Sequence, residues 1–170
     1  LTQGMVLKNG TKMSKSQGNI LDTQALIDKY GADTARLFIM FAAPAEQTLE
    51  WSDHGIDGAH RFLKRLWNVV LNHVDEEQED IKNEIINKEI KEVSYKLNVT
   101  IQKVTDDLER RNSFNTVISS IMELLNFLNE SNKNKMLPYS LKQDVLEKII
   151  LMLYPFVPHI STELWGYLKK

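Results

Sequence analysis

Cysteine is absent from the 170 residues, which excludes disulfide bridges and thiolate metal sites. The four histidines are scattered along the chain without a metal-ligand spacing, and they are His54, His60, His73 and His159. We therefore expect no metal site within the chain. A cysteine-free sequence also suits a reducing compartment, so we expect a cytoplasmic protein.

Long apolar runs are also missing, since none approaches the roughly 20 residues that a membrane-spanning helix needs. The first residues are polar and interrupted by Gly4, so the sequence predicts neither a signal peptide nor a membrane association. The formal net charge is only -2, so any nucleic-acid surface must be a local basic patch. Leu1 is not a start methionine, and we expect the chain to be cut from a longer protein.

The first 21 residues differ in composition from the rest. They contain lysines and glycines but no acidic residue until Asp22, and Asn9-Gly10 is a strong signal for a two-residue hairpin turn. The whole chain is 42% apolar and 26% charged, which is typical of a domain with a buried core. We therefore expect a short hairpin and loop followed by a folded domain.

Helical signals begin at Asp22, the expected N-cap of a first helix that Gly31 ends. Asp33 is expected to start a second helix, which is apolar enough to be buried on most sides. A polar connection is predicted over residues 45–51, and Ser52 is the expected N-cap of the third helix.

Apolar residues three and four positions apart continue this pattern to the end of the chain. They predict a fourth helix over about residues 81–108, a fifth that Ser113 opens, and a sixth over about residues 140–154. Pro155 and Pro158 should break the chain before a short terminal helix. The predicted fold class is mainly α, an antiparallel helix bundle with short connections behind a short β-hairpin and loop.

One short motif carries chemical information. Residues 12–16 read KMSKS, and Gln17-Gly18-Asn19 follows. The ammonium groups of Lys12 and Lys15, interleaved with serine hydroxyls, suit a polyphosphate ligand. An isolated match of this length is ordinarily a solvated surface loop, so the surrounding sequence decides its meaning.

The segment from Gly4 to Asn19 resembles the second signature of class I aminoacyl-tRNA synthetases. Further segments resemble this family in the same order and spacing, and three of them are typical of its bacterial leucyl members. These segments are residues 31–36 (GADTAR), 43–47 (APAEQ), 49–53 (LEWSD), 58–67 (GAHRFLKRLW), 111–116 (RNSFNT) and 154–165 (YPFVPHISTELW), of which 43–47, 49–53 and 58–67 are the leucyl ones.

The resemblance implies a division of the chain into three parts. Residues 1–21 would be the end of a catalytic domain with its KMSKS loop, and residues 22–52 a helical connector like the stem-contact segment of the family. Residues 53–170 would be a helical bundle of the anticodon-binding type, which binds tRNA.

The resemblance also implies a reaction. Leucyl members condense leucine with ATP to give leucyl-adenylate and pyrophosphate, and then pass the leucyl group to tRNA(Leu). The expected substrates are leucine, tRNA(Leu) and ATP, with Mg²⁺ bridging the ATP phosphates. The first signature of the class, of the HIGH type, is absent around all four histidines, so we expect the isolated chain to be inactive. We also expect it to be a monomer.

By the same likeness, Lys15 would stabilise charge that develops on the leaving phosphates, and Lys12 would assist. The residues expected to bind ATP are Lys12, Met13, Ser14, Lys15 and Ser16.

Two basic clusters are candidates for contact with tRNA phosphates. Their residues are Arg61, Lys64, Arg65 and Asn68 on one helix, and Arg110 and Arg111 between two helices. The alternative, a solvated basic face without a ligand, stays open for both clusters. We expect the three tryptophans to anchor the core and His159 to pack or cap.

Other identities remain possible on the sequence alone. Valyl- and isoleucyl-tRNA synthetases share the loop and the helical domain. A non-catalytic helical RNA-binding module and a helical protein-interaction domain are alternatives from other classes, although neither explains the paired lysines between glycines.

Overall fold

The computed structural model describes residues 4–76, 88–132 and 137–169. It contains three short strands, β1 (Val6–Lys8), β2 (Thr11–Lys12) and β3 (Leu49–Glu50). Its helices are α1 (Thr23–Tyr30), α2 (Ala32–Ala42), α3 (Asp53–Val74), α4 (Lys88–Asp106), α5 (Phe114–Ser131), α6 (Tyr139–Leu153) and α7 (Pro158–Leu168). The predicted mainly α fold behind a short hairpin is confirmed.

The hairpin forms where the Asn9-Gly10 signal predicts it. Asn9 has a φ of 55° and Gly10 a φ of 72°, the paired positive values that a tight hairpin turn between twisted strands requires. β1 pairs antiparallel with β2, and its other edge pairs in parallel with β3, with Val6 opposite Leu49. The third strand was not predicted, because residues 45–51 were interpreted as a polar connection.

The helix ends follow local capping chemistry. The Asp22 carboxylate accepts hydrogen bonds from the backbone N–H groups of Gln24 and Ala25, which confirms the predicted N-cap of α1. Gly31 ends α1 with a φ of 82°. The Ser52 hydroxyl accepts from the Gly55 N–H at the start of α3, as predicted.

Four details of the prediction were wrong or only partly tested. α2 begins at Ala32 rather than Asp33, and its Ile39 is 39% exposed, so the helix is not buried on most sides. Pro158 is the first residue of α7 rather than part of the break, a position where its missing N–H costs nothing. The predicted helix over 81–108 appears as α4 from Lys88, and its beginning lies outside the described residues.

The core is a single apolar cluster around α5, which contacts α2, α3, α4 and α6. The fully buried side chains of α5 repeat at helical spacing, and they are Val117, Ile118, Ile121, Leu124 and Leu125. Trp51 is buried and packs edge-on against Phe38 with ring centroids 5.1 Å apart. Trp67 and Trp165 are partly buried against the same cluster, so the expectation of core tryptophans is confirmed.

No helix within the described ranges is both long and apolar enough to cross a membrane.

Candidate nucleotide-binding loop and basic helix face

The KMSKS stretch stands on a hairpin that is fixed to the helical part of the chain. The Gly10 N–H at the hairpin tip donates a hydrogen bond of 3.0 Å to the Glu50 carboxylate, and the Trp51 N–H donates to the Leu7 carbonyl at 2.8 Å. Because Trp51 belongs to the core, the base of the loop is anchored while its tip is exposed.

Both signature lysines are exposed and carry unneutralised charge. Lys12 is the last residue of β2, and Lys15 opens a 3₁₀ turn over Lys15–Gln17 that Gly18 closes in the left-handed conformation, with a φ of 64°. Neither ammonium group has an ion-pair partner among residues 4–76, 88–132 and 137–169. Two free cations on one exposed loop suit a polyanion.

The other residues of the motif have distinct surroundings. The Met13 side chain is partly buried against the core cluster, so it faces inward while the lysines face solvent. The hydroxyls of Ser14 and Ser16 lie 3.1 Å apart. The loop therefore presents hydroxyl groups and ammonium groups together, with Met13 as its apolar anchor.

Asn19 closes the loop and was not among the predicted site residues. Its carboxamide oxygen accepts the Ser14 N–H at 2.8 Å, and its Nδ2 lies 3.2 Å from both the Lys12 carbonyl and the Thr11 hydroxyl. The only signal in the sequence is its place three residues after the motif, because these bonds depend on the loop conformation.

The predicted basic cluster on α3 forms one solvent-facing stripe, which we call the α3 stripe. Its members are Arg61, Lys64, Arg65 and Asn68, all exposed and spaced by three or four residues. Within the described parts of the chain, none of the three cations has an ion-pair partner. The stripe therefore carries positive charge that is available to a ligand.

The second basic cluster, Arg110 and Arg111, differs from the α3 stripe because both of its arginines lie near carboxylates. Residues Asp107–Arg111 form a π-helical turn after α4, in which the Arg110 Nε lies 3.1 Å from Asp106. Arg111 lies 3.5 Å from both Asp106 and the buried Asp107. These two arginines already face carboxylates, so their charge is partly neutralised within the chain.

Two titratable groups of the helical part, His73 and Lys142, are buried. Burial lowers the pKa of His73, whose ring stacks on Tyr139 and whose Nε2 lies 2.8 Å from the Gln143 carboxamide oxygen. Lys142 nearby is buried and paired with Glu76. Among the described residues, no three histidine, aspartate or glutamate side chains are grouped as a metal site would require.

Two family models match the chain. Residues 1–52 match the tRNA synthetases of class I (I, L, M and V), and residues 90–170 match the anticodon-binding domain of tRNA ligase. The first match covers the loop and the helices α1 and α2, and the second covers α5, α6, α7 and most of α4.

Curated relatives are similar over nearly the whole chain. It is 54% identical over 170 residues to a leucine–tRNA ligase of Methylobacillus flagellatus, and 53% identical over 168 residues to one of Nitrosococcus oceani. These alignments include 99% and 97% of this chain, but only 21% and 20% of the relatives. The chain thus spans about a fifth of the length of the curated relatives it matches, and the valyl and isoleucyl alternatives are not favoured.

Solved structures agree with this assignment. The chain superposes on the Agrobacterium radiobacter K84 agnB2 LeuRS, solved as a ternary LeuRS-tRNA-LeuAMS complex, with a TM-score of 0.85 and 32% identity over 99% of this chain and 22% of that one. Methionyl-tRNA synthetase of Mycobacterium tuberculosis shares the fold, with a TM-score of 0.78 at 17% identity over 94% of this chain and 36% of that one. The chain therefore belongs to the leucine–tRNA ligase family of class I tRNA synthetases.

Proposed function

We propose that this segment supplies the ATP-phosphate-binding loop and tRNA-binding helices of an enzyme that joins leucine to tRNA(Leu). The observation that carries the proposal is a pair of exposed lysines on an anchored loop, in a chain about half identical to leucine–tRNA ligases. Neither lysine has an ion-pair partner among the residues that the structure describes. Other parts of the enzyme would bind leucine and the adenine half of ATP, and would transfer the leucyl group to the tRNA.

In the activation step, the leucine carboxylate attacks the α-phosphorus of ATP, and the bond from that phosphorus to the bridging oxygen of the β-phosphate breaks. Negative charge accumulates on the departing pyrophosphate. Lys15 would stabilise that charge and Lys12 would assist, because a fixed cation contributes most where charge develops. The loop backbone around Met13 and Ser14 would lie against the nucleotide, and the hydroxyl of Ser16 would add a neutral donor.

Mg²⁺ would enter with ATP as part of the substrate and would neutralise phosphate charge. Among the described residues, no three histidine, aspartate or glutamate side chains are grouped to hold it. The described part of this chain would contribute the lysine charges and the serine hydroxyls of the loop.

The α3 stripe would contact tRNA phosphates, with Arg61, Lys64 and Arg65 as charges and Asn68 as a neutral donor. Support comes from the lack of ion-pair partners for its cations within the described ranges, and from the similarity to a LeuRS solved with tRNA. Arg110 and Arg111 would contribute less, since Asp106 and Asp107 compete for them.

The three-part division of the chain remains part of this proposal. The class I family match ends at residue 52, where Ser52 caps α3, which supports a boundary there. The pairing of β3 with β1 ties the connector, residues 22–52, to the loop-bearing part. A monomeric state and a cytoplasmic location stay predictions, and sedimentation of the purified protein would test the first.

The proposal is tested by Lys15→Ala in a full-length synthetase that carries this segment. We expect leucine-dependent ATP–pyrophosphate exchange to slow by about 10²–10³, with leucine affinity nearly unchanged, and Lys12→Ala to act in the same direction more mildly. Lys8→Ala is the matched control, since it removes a lysine from the same hairpin outside the motif. Equal losses in Lys8→Ala and Lys15→Ala, or no loss in Lys15→Ala, would refute the assigned role.

A further inference from the structure

We infer that Asn19 is a positioning residue for ATP activation, one that holds the two signature lysines at a fixed relative position; this inference rests on the function proposed above. Asn19 is not charged and would not touch the phosphates itself. It acts through the backbone on both sides of the lysine pair.

The Asn19 carboxamide joins the two limbs of the loop. On one limb its Nδ2 is 3.2 Å from the Lys12 carbonyl oxygen and 3.2 Å from the Thr11 hydroxyl. On the other limb its Oδ1 accepts the Ser14 N–H at 2.8 Å, and Gln17 Oε1 lies 3.4 Å from Nδ2. The two Nδ2 hydrogens are thus shared among three acceptors.

These bonds hold the backbone at Lys12 and on both sides of Lys15. Lys12 is held directly through its carbonyl, and Lys15 is held between the Asn19-bound Ser14 and the Gly18 N–H, which donates to the Lys15 carbonyl at 3.2 Å. Lys12 also lies in the hairpin ladder, opposite Leu7. The Asn19 bonds and the Gly18 turn therefore fix the backbone of Lys15 relative to the backbone of Lys12.

The tip of the loop is not held in place by burial in the core. Lys12, Lys15 and Ser16 are exposed, and Met13 is the motif residue that packs on the core. A cation stabilises a transition state without reorganisation only if it is already in place, and misplacement by about 1 Å can cost on the order of 10² in rate. Asn19 would supply that placement.

The first test uses amide exchange in this chain. We expect the Ser14 amide to exchange slowly in the unaltered protein and in Asn19→Asp, which keeps the accepting oxygen, but rapidly in Asn19→Ala. Gln17→Ala is the matched control, because it removes the most distant partner, at 3.4 Å, and leaves the Ser14 and Lys12 bonds intact. Fast exchange of the Ser14 amide in the unaltered protein would overturn the inference.

The second test is a double-mutant cycle in the full-length synthetase, with ATP–pyrophosphate exchange as the readout. We expect Asn19→Ala to lower the exchange kcat by about 10- to 100-fold with little change in the melting temperature or the leucine KM. In a Lys15→Ala background the same substitution should cost less than about threefold, since residues that act through one another are not additive.

The outcomes of this cycle distinguish the proposed function of the loop from the positioning role of Asn19. If Lys15→Ala slows exchange but Asn19→Ala does not, or if their effects multiply fully, the positioning role is wrong and the proposed function stands. If Lys15→Ala has no effect on the exchange rate, the proposed function of the loop and the positioning role of Asn19 are both wrong. If Asn19→Ala lowers the melting temperature and its rate loss persists in the Lys15→Ala background, Asn19 is structural only, and the inference is overturned.

Discussion

Asp33 joins two segments of the chain that are more than 120 residues apart. Its buried carboxylate accepts the Ile160 N–H at 2.7 Å in the first turn of α7 and lies 2.8 Å from the His159 Nδ1. Arg36, one turn further along α2, donates to the Phe156 carbonyl at 3.1 Å. A carboxylate at a helix N-terminus satisfies free N–H groups and complements the helix dipole. Asp33 thereby caps α7 from α2.

Asp33→Ala should therefore destabilise the fold. We expect the free energy of unfolding to fall by about 1–3 kcal/mol, because a buried N–H loses its charged acceptor. Asn at position 33 keeps an acceptor of the same shape and should cost less. Urea unfolding followed by far-UV circular dichroism measures both.

His159→Ala provides the control for this prediction. The expectation that His159 packs or caps is wrong, because its side chain is 78% exposed and the Ile160 N–H is accepted by Asp33. Its removal should therefore change the unfolding free energy little. Equal stability of Asp33→Ala and the unaltered chain would show that the Ile160 N–H is satisfied by water instead.

At the scale of single elements, α3 serves the core and the surface at once. Its inward face buries Ile56, Leu63, Leu66 and Val70, while the α3 stripe faces solvent on the opposite side. The apolar contacts fix the rotation of the helix, so the basic side chains share one direction. The π turn after α4 differs, because its arginines lie close to the carboxylates of Asp106 and Asp107.

This contrast predicts unequal effects on tRNA binding. In the full-length enzyme, Arg65→Gln should weaken tRNA binding and reduce the slope of log K against log salt by about 0.7–0.9, the value for one lost phosphate contact. ATP–pyrophosphate exchange should not change. Arg65→Lys keeps the charge and should keep most of the slope.

Arg110→Gln provides the comparison for that prediction. We expect a smaller loss of tRNA affinity, since Arg110 is already paired with Asp106. Filter binding across a salt series measures all three variants. A larger salt effect for Arg110 than for Arg65 would mean that tRNA displaces Asp106 and lies along the π turn instead.

At the scale of the whole molecule, the loop-bearing hairpin and the helices form one body. Leu37, Phe38 and Trp51 belong to the same apolar cluster as the buried face of α5, and β3 lies between the hairpin and α2. The loop is therefore fixed relative to the α3 stripe through a continuous core. A continuous core also favours cooperative unfolding.

The purified chain should accordingly melt in one cooperative transition with a helical circular dichroism spectrum. It should show no leucine-dependent ATP–pyrophosphate exchange, because its sequence lacks a HIGH-type signature and it spans about a fifth of its relatives. The full-length enzyme is the positive control. Exchange by the purified chain, at a level that Lys15→Ala abolishes, would show that the chain holds a complete active site.

The helix caps, the hairpin turn and the motif lysines could be predicted from the sequence, because each depends on residues that are close in the chain. Asp22 and Ser52 each satisfy N–H groups two or three residues away, and Asn9-Gly10 supplies the positive φ angles of its own turn. The motif lysines were identifiable for the same reason, since the signal lies within five consecutive residues. Features whose physical causes are close in the chain can be predicted from the order of residues.

Only the tertiary structure decided the remaining features. Residues 49 and 50 became a strand because β1 offered a free edge, and Asp33 became a cap because α7 packs beside α2. Asn19 acquired its bonds from the loop conformation. Hydrogen bonds and ion pairs require groups within about 3–4 Å, and for most of these residues that proximity arises only after the chain has folded.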